Sequence, residues 1–457
     1  AYGGRMVDTI YLKEPYKDGD IEYALSANYG LGAAQLTSAT SYVHRTFRGL
    51  NDETRFMAEN FGNALGDPFR TGSDVHIFTQ EVRLASQGKH RIDYVLGGFY
   101  WQFDEKGFAD QSNPGEGALL GLPVPGDIFY RKDASRNNRE RALFGELTFN
   151  ATDALHITGG LRAYSGSRAL RDVNQGFFNG NRTTISQASA DYNGVNPKVS
   201  VSYDVNSDVM LYATAAKGYR AGGANISVPT TCAADLAALG LTASPASYAP
   251  DKLWNYEAGA KTSWANGRLT ANGAIYHIDW TGIQVRQPLR GCGFSFLTNG
   301  ASATSDGFEL ELAARPVEGL TLNAGVGYAH TSLDKTPNIA GSQDGSPIPG
   351  VPDWTGNISA TYTRPLTQTL DGTLTATYQY GAGYRSDLLP PSVFNFRSET
   401  SDLSLRAEIS SGRWTAGVFA DNLLNKVTVS GATDLMSSVE WLVNRPRTVG
   451  VRLSAEF

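Results

Sequence analysis

From end to end, the chain alternates very short connections with long ones between segments that read as strands. The short ones fall at residues 30–32, 87–90, 151–153, 205–207, 265–267, 316–319, 366–370 and 411–412. The long ones run over 49–74, 108–138, 171–195, 221–251, 287–294, 332–352, 385–396 and 427–444. Each short turn closes a hairpin and each long loop joins one hairpin to the next. All tight turns therefore gather at one end of an up-and-down meander and all long loops at the other. Membrane-spanning barrels have this layout. A soluble sandwich has no reason to sort its loops.

The strands carry the matching periodicity. Phe308, Leu310 and Leu312 share one face while Glu309 and Glu311 share the other, the period-two signature of a strand between unlike surroundings. Leu374, Ala376, Tyr378 and Tyr380 repeat it, as do Leu403, Leu405, Ala407 and Ile409, and finally Val449, Val451, Leu453, Ala455 and Phe457. A transmembrane helix needs about 18 consecutive apolar residues, whereas 92–100, IDYVLGGFY, is among the longest apolar runs. Any crossing of a bilayer must use strands, and these must close on themselves because lipid offers backbone groups no partner. About 18 strands are expected, from a short one at 5–13 to a last one at 445–457. The fold class is all-β, a transmembrane antiparallel barrel with short periplasmic turns and long extracellular loops.

Composition suits this reading: 50 glycines, 22 tyrosines, 20 phenylalanines and only 18% charged residues. Trp254, Trp264, Trp354, Trp414 and Trp441 fall near proposed strand ends, and Tyr276, Ile278 and Trp280 share a strand face. Such residues build interface belts, though ordinary packing explains any one of them. A net charge of −6 without a basic cluster argues against nucleic acid. The opening AYGGRMVDTI lacks the basic start and apolar core of a signal peptide. The histidines His44, His76, His90, His156, His277 and His330 show no close ligand spacing, so no metal site is expected. His277 and Asp279 read as a lumen-facing pair. Cys232 and Cys292 fall in extracellular stretches, where an oxidising compartment permits a disulfide; two unrelated thiols is the other reading.

From Gly194 onward the chain resembles the barrel of TonB-dependent outer-membrane receptors, especially the iron-complex or siderophore type. The stretches that carry the resemblance are NPKVSVSYDVNSDVMLYATAAKGYRAGGAN (196–225), PDKLWNYEAGAKTSWANGRLTANGAIYHIDWTGIQV (250–285) and NGASATSDGFELELAARPVEGLTLNAGVGYAHTSL (299–333). ADNLLNK (420–426) and the terminal Phe457 add to it. The resemblance implies that 1–457 is the barrel portion of a Gram-negative outer-membrane receptor of about 22 strands. It implies that the signal peptide, TonB box, plug and first strands lie outside the chain. It further implies a monomer in outer-membrane lipid that binds a ferric siderophore or similar scarce solute. TonB-ExbB-ExbD would energise uptake through the missing N-terminal part, with no cofactor and no catalysis by the barrel.

Ligand candidates come from the long loops and upper lumen: Tyr219, Arg220, Asn225, Arg286, Arg290, Tyr384, Arg385, Phe394, Phe396 and Arg397. Arginine offers bidentate donors to carboxylates and anionic chelators, and aromatics offer stacking surface. Solvated or ion-paired loop arginines are the competing reading. Two other classes stand beside the receptor. A passive, substrate-selective porin would conduct without a plug. An outer-membrane enzyme needs a nucleophile and base together, and nothing in the sequence brings a serine and a histidine together.

Overall fold

Period-two alternation becomes strand pairing throughout the chain. The structure is a computed structural model that describes residues 11–62, 66–228, 230–289, 291–292, 294–336, 343–386, 396–434 and 439–455. Its first eight strands are β1 (Tyr16–Gly30), β2 (Ala34–Asp52), β3 (Pro68–Ser86), β4 (Ile92–Ser112), β5 (Ile128–Asn150), β6 (Leu155–Gln175), β7 (Thr184–Asn206) and β8 (Val209–Arg220). A two-residue pair, β9 (Gly223–Ala224) and β10 (Ser247–Tyr248), decorates the next long loop. Then follow β11 (Asp251–Trp264), β12 (Leu269–Leu289), β13 (Phe294–Ala314), β14 (Leu320–Lys335), β15 (Trp354–Pro365), β16 (Asp371–Arg385), β17 (Arg397–Ser411) and β18 (Trp414–Asp421). A loop hairpin of β19 (Val429–Asp434) and β20 (Val439–Val443) precedes the last wall strand, β21 (Thr448–Ala455).

Among the described residues, 17 strands form one antiparallel sheet in which each pairs with the next along the wall. β1 pairs only with β2 and β21 only with β18, so the described wall has two open edges. Every residue of β1 is exposed. The first of the 18 expected strands, at 5–13, lies largely outside the described residues; of it, Tyr11, Leu12 and Lys13 form no strand. All eight short turns occur as expected.

Several long loops are shorter than the sequence suggested, because the strands run on into them, whereas the one expected at 427–444 is longer, since β18 ends at Asp421 and β21 begins at Thr448. β4 reaches Ser112, β5 begins at Ile128, and β6 and β7 extend to Gln175 and from Thr184. Residues 136–138 of RNNRER (136–141) close the expected loop 108–138, yet the whole segment is mid-strand and paired on both sides. Above the bilayer both faces of a wall strand meet water, so the apolar alternation that marks a strand disappears while the ladder continues.

Pairing register puts the apolar residues on one continuous face. Ile275 stands opposite Phe308, which stands opposite Tyr328, which stands opposite Trp354. Leu374 pairs with Ala407, Ala407 with Val418, and Val418 with Val451. Leu143, Leu161, Ile275, Leu310, Leu374 and Val451 are all exposed. This is the lipid face. Phe308, Tyr328 and Trp354 pack together on it with ring centroids 4.8–5.9 Å apart, one arc of an interface belt. Trp264 and Trp414 mark the level of the short turns, as expected. Trp441, by contrast, lies in β20 of the extracellular hairpin and not at a wall-strand end.

Two expectations about faces are reversed. Tyr276, Ile278 and Trp280 occupy the opposite, inner face, where Trp280 packs against Ile283, Ala301, Ala303 and Leu333. His277 and Asp279 follow Ile275 on the outer face, so they are not lumen-facing. His277 bonds Asp306 at 2.7 Å and Asp279 at 3.1 Å. Above the apolar band the outer face turns polar, which shifts the hydrophobic members of β12 to the inside.

The face assignment gives a measurable asymmetry. Leu310→Arg places a charge against lipid and should destabilise the barrel by about 2–4 kcal/mol. Glu311→Arg, one residue along on the inner face, should cost less than about 1 kcal/mol. Urea unfolding in lipid vesicles, followed by tryptophan fluorescence, measures both.

Candidate functional site

On the inner face, β5, β6 and β7 build a tyrosine-lined wall from a short repeated pattern. Tyr164-Ser165-Gly166 and Tyr192-Asn193-Gly194 run antiparallel, so that Tyr164 stands opposite Gly194 and Tyr192 opposite Gly166. Each phenol lies flat over the other strand's glycine. A Cβ at Gly166 would come 2.4 Å from the Tyr192 hydroxyl, and one at Gly194 2.3 Å from that of Tyr164. Glycine is needed there for close approach, and the aromatic ring covers the backbone that it bares.

These rings are buried, with Tyr164 at 5% and Tyr192 at 4% exposure, and they organise a charged cluster. Glu140 accepts hydrogen bonds from the Tyr192 hydroxyl at 3.0 Å and from Arg162 at 3.2 Å. Arg162 also lies over the Phe99 ring, 4.9 Å from its centroid. Tyr219, at the end of β8, stacks on Tyr164 with centroids 3.6 Å apart. The Nε of Arg168 and Oδ1 of Asn196 are shielded in the same wall with no hydrogen-bond partner. The cluster is thus a packed aromatic and charged wall, in which Arg168 also acts on the Tyr192 phenol.

Of the sequence candidates, only Tyr219 joins this wall. Arg220 is committed to structure: it pairs with Asp251 at 2.5 Å and lies over Trp280. Asn225 is buried and bridges two loops, donating to the carbonyls of Pro245 and Leu297 and accepting from the Leu297 N–H. Both positions hold loops in place. Arg286 is exposed at the top of β12, with no ion pair among the described residues. Arg290 and Phe394 lie outside the described residues. Tyr384 stands opposite the buried Ser398. Phe396 leads into β17, where its carbonyl accepts from the Ser386 N–H at 3.1 Å. Arg385 and Arg397 are direct cross-strand partners, both exposed and neither within ion-pair distance of a carboxylate among the described residues. Like charges placed opposite one another destabilise a sheet, and a shared anion would relieve the repulsion.

Cys232 and Cys292 form a disulfide across a sequence separation of 60 residues, with Cα atoms 5.2 Å apart. The bridge ties the loop after β8 to the tip of the β12–β13 hairpin. Around it Leu236, Leu289 and Phe296 make a small buried core, and Asp235 accepts the Cys292 N–H at 3.0 Å. Among the described residues no group of three or more His, Cys, Asp or Glu converges as a metal centre.

Tyr164, Tyr192, Glu140, Arg162 and Arg168 are absent from the sequence candidates. Tyr192 fell within a stretch taken as loop, and the pairs meet only through register. The repeated Tyr-x-Gly was the available signal.

Sorted loops, an apolar outer face with an aromatic belt and a polar, phenol-lined inner face together define a transmembrane β-barrel of the bacterial outer membrane. The family described as TonB dependent receptor-like, beta-barrel matches residues 6–423. The chain belongs to that family. It is 24% identical over 358 residues to the metal-pseudopaline receptor of Pseudomonas aeruginosa (strain UCBPP-PA14), covering 78% of this chain and 44% of that protein. It is 24% identical over 400 residues to the pesticin receptor of Yersinia pestis, covering 85% of this chain and 52% of that one. The ferric yersiniabactin uptake receptor from Yersinia pestis superposes with a TM-score of 0.76 at 18% identity, over 98% of this chain and 63% of the other. The chain therefore spans about half the length of the curated relatives it matches.

Opening the disulfide should loosen the loop core while the wall persists. A closed loop of this length contributes about 4 kcal/mol in the chain-entropy account. In Cys292→Ser, amide exchange should rise in 230–239 and 286–297 and stay unchanged in β5–β7. Hydrogen-exchange mass spectrometry in detergent reads both regions.

Proposed function

We propose that this chain forms the wall and outer loops of a TonB-energised importer of a scarce chelated metal, a ferric siderophore in the first instance. The observation that carries the reading is a pair of exposed arginines at the outer end of a barrel whose inner face carries a half-buried phenol, Tyr219. Arg385 and Arg397 stand side by side at the extracellular end of β16 and β17, with no ion pair among the described residues and Glu399 the nearby carboxylate that Arg397 acts on. Tyr219, half-buried and stacked on the buried Tyr164, lies on the inner face. Anionic oxygens of a chelator suit the first and its aromatic groups the second. The names of the relatives, receptors for metal-pseudopaline and pesticin, and the uptake of ferric yersiniabactin by a structural neighbour support the same class of solute.

In this reading, 1–457 is the barrel domain of a monomeric receptor. Its signal peptide, TonB box, plug and remaining strands lie outside the chain, and TonB-ExbB-ExbD act on that part. The barrel contributes affinity and a path and carries out no catalysis. Arg286, Tyr384 and Phe396 extend the binding surface around the mouth.

The test is uptake of radioiron, presented as a panel of ferric siderophores, by cells that express the whole protein. Transport should require TonB and collapse when the proton gradient is discharged. The Arg385→Ala, Arg397→Ala double variant should bind its siderophore at least about tenfold more weakly, the equivalent of about 1.4 kcal/mol, with unchanged abundance in the outer membrane. TonB-independent flux and open conductance in planar bilayers would instead identify a passive porin.

A further inference from the structure

Two carboxylates in the extracellular loops lie wholly inside the protein and make no ion pair among the described residues. Asp67 precedes β3 in the loop 53–67; Glu116 opens the helical turn α1 (Glu116–Leu119) in the loop 113–127. Both have 0% exposure. Among the described residues, Oδ1 of Asp67 and both carboxylate oxygens of Glu116 make no hydrogen bond of ordinary geometry, although the Asn113 side chain lies near enough to Glu116 to act on it. The remaining Asp67 oxygen accepts from the side-chain amide of Gln111 at 2.5 Å. The two loops are stitched together beside them, where Asn113 donates to the Gly66 carbonyl at 3.1 Å.

Other charges nearby deepen the negative potential. Asp52 acts on Asp67, and Asp127 acts with Asp67 on Glu116. Arg70 acts on Asp67 from the side of β3, but it also lies 3.9 Å from Asp110. Asp127 is committed to the backbone N–H groups of Gly115 and Gly117, at 2.8 and 3.1 Å, and Asp52 to Thr54 and Leu12. A buried ionised carboxylate without a partner is among the costliest groups a protein can carry, and here two share one location.

We propose that Asp67 and Glu116 are the acidic ligands of a calcium-class divalent cation that locks loop 53–67 to loop 113–127. A hard cation taking six to eight oxygens at about 2.3–2.6 Å accepts carboxylates together with carbonyls, side-chain amides and water. A set with no histidine or thiolate does not select a transition metal. Two acidic ligands, fewer than a dedicated high-affinity site uses, point to a Kd of about 10⁻⁴–10⁻³ M, the range of extracellular modules. The competing physical solution is a proton. Burial raises both carboxyls above their ordinary range, and the charge of Asp67 raises Glu116 further. If protons alone settled the pair, the folded loops would hold protons that unfolded ones release, and loop stability would fall as pH rises.

The whole protein, purified in detergent and stripped with EDTA, would be titrated with calcium chloride at pH 7.5 by calorimetry. Hydrogen exchange would be followed over 54–61 and 116–127. Binding of a single ion, with exchange in both loops slowed about tenfold or more, is the expected result. Asp67→Asn with Glu116→Gln should abolish the binding heat and make loop exchange indifferent to EDTA. If that variant does not fold, the wild-type titration decides. No calcium heat, or loop protection that falls between pH 5 and 8 equally with and without calcium, overturns the proposal.

Discussion

Every feature of this barrel depends on one requirement: inside a bilayer a backbone N–H or C=O finds no water, and leaving it bare costs several kcal/mol. The chain meets that requirement with antiparallel neighbours, strand after strand, and the ladder in turn dictates where side chains go. Once Ile275, Phe308, Tyr328 and Trp354 are locked in register, each strand must present one face to lipid and the other to the interior. A slip of one residue in any hairpin would exchange the two faces. The tight turns at 30–32, 265–267 and 366–370 fix register at one end of the wall and leave the other end free to vary.

That freedom is where chemistry accumulates. Near the short turns, one side of the wall is set by lipid and offers little choice. Farther out, strands such as β5 and β6 run on into water, where both faces accept polar residues. Asp172 is held there between Lys132 and Arg136, at 2.8 and 2.6 Å. The tyrosine wall draws on β6, β7 and β8. Tyr164 and Tyr192 cover the glycines opposite them and are themselves buried, so the inner wall there is aromatic and fixed. At the rim, Arg385 and Arg397 offer the opposite character: two long, solvated cations whose separation is set only by a hairpin.

What the sequence made legible follows from the same division. Phe308 to Leu312 announced a strand because lipid on one side and the interior on the other wrote alternation into it. The polar run at 136–141 announced nothing, since water on both sides imposes no pattern. His277 and Asp279 were placed on the wrong face for a related reason. Above the apolar band, polarity no longer tells inside from outside, and only the count from Ile275 does. At the site, Tyr219 was found through its motif, whereas its partners Tyr164 and Tyr192 depend on register across separate hairpins. Arg220 and Asn225 were also visible, but their commitments, to the cross-strand neighbour Asp251 and to Leu297 on β13, join segments distant in sequence, which no local pattern encodes. The pairing of Cys232 with Cys292 rests on just such an approach of two loops.

That staple has a consequence for how the protein reaches the cell surface. The bond closes a covalent ring that contains the entire β11–β12 hairpin. A bacterial periplasm is oxidising, so a bridge formed there precedes membrane entry. The loop after β8 and the tip of the β12–β13 hairpin would then cross the bilayer as one cross-linked parcel, and the machinery that inserts the wall would have to pass a knot of chain wider than any single loop.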